Sequence, residues 1–282
     1  MKQMEHKIDF TQPEKYQLLI RLHWPNEISF YVYSDKSPSN GLYIPLSQTK
    51  APLFTESLKD VVFADKRLSL SYNKVSVLFV NNLYTFVPDD IYSENESKKE
   101  LFLKFNFENI EKNEVLTNKI DSCKITNLFG IQKDLFDFLQ RTFPSVEYVH
   151  HITPLLRYFL RMRAVTENAR VYVHLTNSYM SVFCFRSNRI EAVNTFSYSD
   201  ANDAAYFVLM LWDKLKFDQL SDRLHIAGIS DNKTDLITIL SRFIENVIPM
   251  NNPVLGENKL ILPFDLQSFL SSAPPVFDKQ QS

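Results

Sequence analysis

The sequence predicts an α/β protein in which the element order βββαβα occurs twice in tandem. Three observations carry the prediction. Two stretches, opening at Tyr16 and at Ala169, each run through three extended segments separated by turns. Apolar residues at helical spacing follow each set and alternate with further extended segments. The composition, 45% hydrophobic and 23% charged over 282 residues, is that of a folded globular chain long enough for two lobes. The expected boundaries are 1–152 for the first lobe, 153–167 for a connecting helix and linker, 168–272 for the second lobe and 273–282 for a disordered tail.

In the first lobe, Tyr16–His23 alternates apolar and polar residues, Trp24-Pro25-Asn26-Glu27 turns, and Ile28–Tyr33 returns with aromatic and β-branched side chains. Leu42–Leu46 supplies a third strand after the turn Ser37-Pro38-Ser39-Asn40-Gly41. Pro52–Ala64 reads as a helix, Lys74–Val80 and Leu83–Val87 as extended, and Asp89–Phe105 as charged and partly helical. Glu114–Asn118 and Ser122–Phe129 form another antiparallel pair, Gln132–Thr142 an amphipathic helix and Val146–Ile152 a strand.

The second lobe repeats the order more cleanly. Ala169–Leu175, Tyr179–Phe185 and Ile190–Phe196 are strands, joined by turns at Thr176-Asn177-Ser178 and between Arg186 and Arg189. Asp200–Phe217 places Ala204, Ala205, Val208, Leu211, Trp212 and Leu215 at helical spacing. Arg223–Ile229 is a buried strand and Lys233–Asn246 a second amphipathic helix. Either Val247–Pro249 or Lys259–Leu262 supplies the last strand, and Phe264–Ser271 closes the lobe as a short helix.

Charge and cysteine usage exclude several function classes. Thirty-one basic against 33 acidic side chains leave a net charge of -2, so strong nucleic-acid binding is not expected. The opening Met1-Lys2-Gln3-Met4-Glu5-His6-Lys7 lacks the apolar core of a signal peptide, and no apolar run approaches the ~20 residues of a spanning helix. No transmembrane segment and a cytoplasmic location are therefore expected. Cys123 and Cys184 lie in apolar strand-like runs without CxxC spacing or a neighbouring His cluster, and read as two buried free thiols.

The duplicated βββ openings, with the phrases Tyr179-Met180-Ser181-Val182-Phe183 and His225-Ile226-Ala227-Gly228, resemble a bacterial family of unknown function built on the actin-like ATPase fold. Each lobe of that fold is ribonuclease-H-like. Within the superfamily the chain is most similar to the membrane-associated pilus-assembly and secretion-platform proteins. The resemblance covers nearly the whole chain and rests on topology more than on motifs.

An active member of the superfamily grips its nucleotide through glycine turns, because glycine brings backbone amides close to phosphate at φ values other residues resist. This chain has only four glycines, Gly41, Gly130, Gly228 and Gly256, where average usage of roughly 7% implies about twenty. The resemblance places an Asp-x-Gly turn at the end of each lobe's first strand. In the first lobe, Leu22-His23-Trp24-Pro25-Asn26-Glu27 has no glycine, and Pro25 removes an amide donor. In the second, His174 stands where the acid is expected and Thr176 where the glycine is expected. Thr176, Asn177 and Ser178 retain groups that could meet an anion, although Asn and Ser are also ordinary hairpin residues. Ala227-Gly228-Ile229-Ser230 keeps one of the two glycines of the adenosine element, which leaves a nucleoside-sized cleft in play; Gly228 could equally let the strand pass into a helix capped by Ser230 or Asp231.

Other candidates have structural alternatives. Ser199-Asp200-Ala201-Asn202-Asp203 reads as a helix cap before it reads as a metal site. His150 and His151 are adjacent on a strand and so point to opposite faces, poorly placed for one ion, and His225 reads as packed. Arg157 and Arg161 share a helix face, with Arg163 nearby, and form a candidate strip for an acidic partner or an RNA segment, or simply a solvated face. A nuclease would need clustered carboxylates, and Ala169–Phe185 contains none. The reading is thus a cytoplasmic, non-catalytic actin-like scaffold or protein-interaction protein, a pseudo-ATPase with degenerate motifs, no cofactor, no metal site and a protein partner not identified by sequence. The alternative is a nucleotide-binding switch taking ATP or ADP with magnesium through Thr176, Asn177, Ser178, Gly228 and Ser230. Oligomeric state is left open.

Overall fold

A computed structural model describes residues 8–24, 27–46, 54–92, 96–107, 110–162, 168–187, 189–252, 254–255 and 260–272. The opening heptapeptide, Pro25, Asn26, Arg163, the linker to 167, Gly256, Lys259 and the tail from 273 lie outside the described residues. The described chain divides into two compact units, one made of the residues up to Thr153 together with Leu255 and Leu260, the other of Pro154–Val254 and Ile261–Ser272.

The first unit opens with β1 (Gln17–His23), β2 (Glu27–Ser34) and β3 (Ser37–Leu46), followed by α1 (Phe54–Ala64) and β4 (Lys74–Val80). Strand β3 starts earlier than the sequence suggests. Ser34 already pairs with Ser37, so the chain reverses within Asp35 and Lys36. Tyr31 Oη fixes the expected turn segment as strand by donating to Pro38 O at 2.7 Å and accepting from Gly41 N at 2.9 Å. Pro38 is tolerated because β3 is an edge strand.

Between β4 and β8 (Glu147–His150) the chain inserts β5 (Tyr84–Pro88), α2 (Glu96–Lys104), β6 (Asn113–Ile120), β7 (Ile125–Gln132) and α3 (Lys133–Thr142). Among the described residues the main sheet has the order β3-β2-β1-β4-β8 and the insertion forms its own sheet, β5-β7-β6. The hairpin between β6 and β7 corrects the cysteine expectation. Its turn, Asp121–Cys123, ends on Lys124 at φ 53, so Cys123 is half-buried in a turn rather than buried in a strand.

Helix α4 (Ile152–Met162) begins two residues before Pro154. Proline fits a first turn, where its missing N–H has no intrahelical acceptor to lose. The second unit then repeats the pattern with β9 (Arg170–Leu175), β10 (Tyr179–Arg186), β11 (Arg189–Ser197), α5 (Ala201–Lys214), β12 (Arg223–Gly228), α6 (Lys233–Leu240) and β13 (Asn246–Pro249). Its sheet order, β11-β10-β9-β12-β13, reproduces that of the first unit, with β9 and β10 antiparallel and β9, β12 and β13 parallel.

Of the two candidates for the last strand, Val247–Pro249 takes the place beside β12. Residues β14 (Val254–Leu255) and β15 (Leu260–Ile261) pair separately, before α7 (Phe264–Ser272). Helix α6 is shorter than its apolar period. Tight turns after Leu240, with Phe243 N and Ile244 N both donating to Leu240 O, still carry Ile244 into the core at 1% exposure.

Both faces of the second sheet are covered, which explains why β9 and β10 read as near-continuous apolar runs. Val171, Val173, Met180, Val182 and Cys184 join the core that includes Ala204, Val208 and Trp212 of α5 and Leu236 and Leu240 of α6. On the other face Phe159 of α4 stacks on Tyr172 at 4.5 Å and lies 5.9 Å from Phe264 of α7.

Candidate functional site

Parallel register brings the second unit's candidate residues together at the carboxyl edge of its sheet. Gly228 pairs with Leu175, so Thr176-Asn177-Ser178 and Ile229-Ser230 leave the sheet side by side. Gly228 has φ +95, and a Cβ there would lie 2.2 Å from Leu175 O. Only glycine lets the two strands end so close.

The polar groups of this cluster bond to one another. Thr176 Oγ1 donates to Tyr179 O at 2.9 Å, and Tyr198 Oη donates to Thr176 O while lying 2.8 Å from Ser230 Oγ. Asn177 Oδ1 accepts from Asp231 N at 3.0 Å, and Ser230 Oγ accepts from Asn232 N at 3.2 Å. The α6 cap is therefore Asn232 by position, while Ser230 closes the turn before it. Lys233 Nζ donates to Gly228 O at 3.1 Å and Met250 O at 2.9 Å, and burial lowers its pKa. Ser178 is exposed beside the cluster. Thr176, Ser230 and the Asn177 carbonyl already serve the fold, and His174, at the position of the family acid, is 2% exposed. Tyr198 was missed by sequence reasoning, because a tyrosine between a strand and a helix cap reads only as core.

Asp200 caps α5, accepting from Asn202 N at 2.8 Å and Asp203 N at 3.0 Å, while Asp203 Oδ2 accepts from Ser199 N at 3.0 Å. The first two bonds cap the helix, and the third ties the residue before the cap to its first turn. Among the described residues no group of His, Cys, Asp and Glu side chains is arranged to hold a metal ion.

In the first unit, the equivalent edge carries an ion-pair cluster and a cavity. Arg21 Nη1 and His23 Nδ1 meet Glu27 Oε2 at 3.3 and 2.7 Å. The His23 hydrogen bond, aided by the charges of His23 and Arg21, pulls the Glu27 carboxyl down to about 2 against the opposing effect of burial. Trp24 N donates to Val80 O at 3.0 Å, placing Trp24 beside the Asn81-Asn82 turn that follows β4.

His150 anchors that turn. Its Nε2 lies 3.2 Å from both Asn81 O and Asn81 Oδ1; because a carbonyl only accepts, Nε2 carries the proton, and Nδ1 accepts from Asn127 Nδ2 at 3.4 Å. Asn118 Oδ1 accepts from His150 N at 2.9 Å. Burial lowers the His150 pKa to about 3. His151 is also fully buried, with its ring 4.6 Å from that of His150. His225 stacks on Tyr172 at 4.8 Å.

A cavity of about 270 Å³ opens at the carboxyl ends of β1 and β4, within the first unit. Leu22, Phe54, Phe79, Leu83, Ile131 and Leu135 form apolar walls with Trp24, and Asn81, Asn82, Asn113 and Gln132 supply carboxamides. Trp24 meets Phe54 edge to face at 5.4 Å. Carboxyl ends of strands are where open α/β sheets place ligands.

The α4 strip is less open than its sequence suggests. Arg161 donates to Ser271 O in the last turn of α7, where a cation favours a helix C-terminus. Arg157 is half-buried and engaged within the structure, and Arg163 lies outside the described residues.

Comparison with known proteins places this geometry. The family described as protein of unknown function (DUF3822) matches residues 5–247. A solved protein of Bacteroides thetaiotaomicron VPI-5482, with actin-like ATPase fold and unknown function, is 27% identical over 94% of this chain and 99% of its own, at TM-score 0.81. A chain of the PilM–PilN type IV pilus biogenesis complex is 10% identical over 85% of this chain and 89% of its own, at TM-score 0.50. The cytoplasmic domain of EpsL, an inner membrane component of the Vibrio cholerae type II secretion system, is 12% identical over 91% of this chain and 95% of its own, at TM-score 0.47. No curated protein matches the chain. The fold is that of the actin-like ATPases, and no described helix is long and apolar enough to cross a membrane.

Proposed function

Because the chain belongs to the DUF3822 family and has an actin-like ATPase fold, we propose that it is a non-catalytic scaffold that holds a protein partner in the cytoplasm. One observation carries the reading. The second-unit turns that would contact phosphate in an active relative are closed by Thr176, Tyr198, Ser230 and Asn177 bonding to one another and to the backbone. Groups already paired inside the protein must break those bonds to hold a ligand, so their net value to a phosphate is small. The same fold in a chain of the PilM–PilN complex supports a role in assembly.

Turnover and thermal-shift assays with ATP and magnesium test the catalytic half of this proposal. The expected result is no phosphate release and no saturable stabilisation that depends on Thr176 or Ser230. Hydrolysis that disappears on Thr176→Ala would overturn it. Saturable stabilisation by ATP or ADP without hydrolysis, lost on Thr176→Ala but kept in Trp24→Ala, would favour the nucleotide switch through Thr176, Asn177, Ser178, Gly228 and Ser230. For the partner half, charge reversal at Arg157 and Arg161 is expected to release a copurifying protein, with a fall in Tm as well because Arg161 also holds the last turn of α7. A fall in Tm with the partner retained would assign the pair to holding α7.

A further inference from the structure

The cavity beside Trp24 has a chemistry that the scaffold reading leaves unused. An apolar cavity of about 150 Å³ accommodates benzene. At about 270 Å³, this one has room for a fused two-ring system. One wall is aromatic: Phe54 is 5% exposed and fixed against Trp24, which is 43% exposed and so keeps surface for a second ring. The rim is made of neutral carboxamides, each with a donor and an acceptor.

These features select a ligand class. Aromatic side chains stack on any planar heterocycle, and carboxamides pair with neighbouring donors and acceptors on a ring edge, as Asn and Gln do with adenine. Among the described lining residues none is lysine or arginine, so the site offers no cation to neutralise a phosphate or carboxylate. Asn81 is held in place, its Oδ1 accepting from Leu83 N at 2.9 Å and lying 3.2 Å from His150 Nε2. A ring edge would therefore meet a positioned amide rather than a mobile one.

We propose that the first unit binds an uncharged, planar, bicyclic heterocycle of the nucleobase type at this cavity. Trp24 and Phe54 provide the stacking wall, and Asn81, Asn82, Asn113 and Gln132 read the edge. The site is lined by first-unit residues alone, and the proposal stands whether or not the protein is a scaffold.

Calorimetric titration of the unaltered chain with adenine, adenosine, guanosine, uridine, adenosine monophosphate and indole tests it, with Trp fluorescence recorded in parallel. The expected result is one purine per chain with quenched emission, the monophosphate binding at least about tenfold more weakly than adenosine, and uridine and indole weaker still. Trp24→Ala should weaken purine binding about tenfold or more. A second variant, Leu135→Phe, narrows the cavity with a residue compatible with an apolar core and should also abolish binding while thermal unfolding stays cooperative. The proposal is overturned if no purine binds saturably at millimolar concentration. It is also overturned if Trp24→Ala binds as well as the unaltered chain, if the monophosphate binds more tightly than adenosine, or if indole binds more tightly than any purine.

Discussion

Gly228 shows most sharply how one residue shapes the candidate site. A methyl group at that position would meet the Leu175 backbone at 2.2 Å, on a backbone whose φ of +95 already disfavours any other residue. Gly228→Ala should destabilise the protein by about 2–3 kcal/mol, read as a fall in Tm or in the urea midpoint. An unchanged midpoint would contradict the packing assigned here. The two cysteines make a second residue-level test. Burial raises the Cys184 thiol to about 12, whereas Cys123 is half-buried in a hairpin turn. A thiol reagent should therefore label Cys123 in the native state and Cys184 only after unfolding. The sequence shows that Gly228 is one of only four glycines, but not why a glycine is needed there. Its neighbour across the sheet, Leu175, is visible only once the register is known.

At the scale of elements, the β8 terminus ties acid stability to the turn that frames the cavity. His150 is held neutral with a pKa of about 3, against about 6.5 for an ordinary histidine. As pH falls from about 6.5 towards 3, the unfolded chain binds a proton that the folded chain refuses, so stability is full above this window and is lost on acidification through it. The limiting slope for one such group is about 1.4 kcal/mol per pH unit. His225, lowered to about 4 chiefly by burial, adds a slope of the same sign. Glu27, lowered to about 2 from an ordinary 4.5, extends the loss below pH 4.5, although its side chain is 45% exposed and solvent screens its share. Urea unfolding across pH 3–7 should show this decline, and His150→Gln should flatten the part above pH 4.5 whatever it does to stability at neutral pH. An unchanged slope in that variant would remove His150 from the account.

Elements with strong periodicity were legible in advance. Lys74–Val80 coincides with β4, and α5 differs from its expected span only by its cap Asp200 and the hydrogen-bonded turn Leu215–Phe217 that ends it. The departures have local causes. Ser37–Gly41 looks like a turn by composition, yet an edge strand accepts Pro38 and the Tyr31 hydroxyl supplies the pairing that a neighbouring strand otherwise would. Glu147–His150 stops short of Ile152 because the next helix starts there, and a helix whose proline sits in the first turn gives no break in the sequence pattern. The cavity was not legible at all. Trp24, Asn82 and Gln132 are far apart in sequence, and only the parallel register of β1 with β4 and the inserted β5-β7-β6 sheet bring them to one rim.

Across the whole molecule, the two sheets share one strand order while the turns at their carboxyl edges have diverged. The first unit's edge holds Arg21, His23 and Glu27 together with a neutral cavity; the second unit's edge is a closed set of hydrogen bonds around Tyr198. Duplication of the βββαβα order was readable because strand and helix periods persist under substitution, whereas the chemistry of the turns depends on pairings between residues about 20 to 50 positions apart, such as Tyr198 with Thr176 and Asp231 with Asn177. Calorimetric titration of the full chain with ATP and magnesium tests the central claim most directly. The account predicts no saturable heat that depends on Thr176 or Ser230, any weak binding through the adenine ring being lost on Trp24→Ala instead; one-to-one binding that is lost on Thr176→Ala or Ser230→Ala would contradict it.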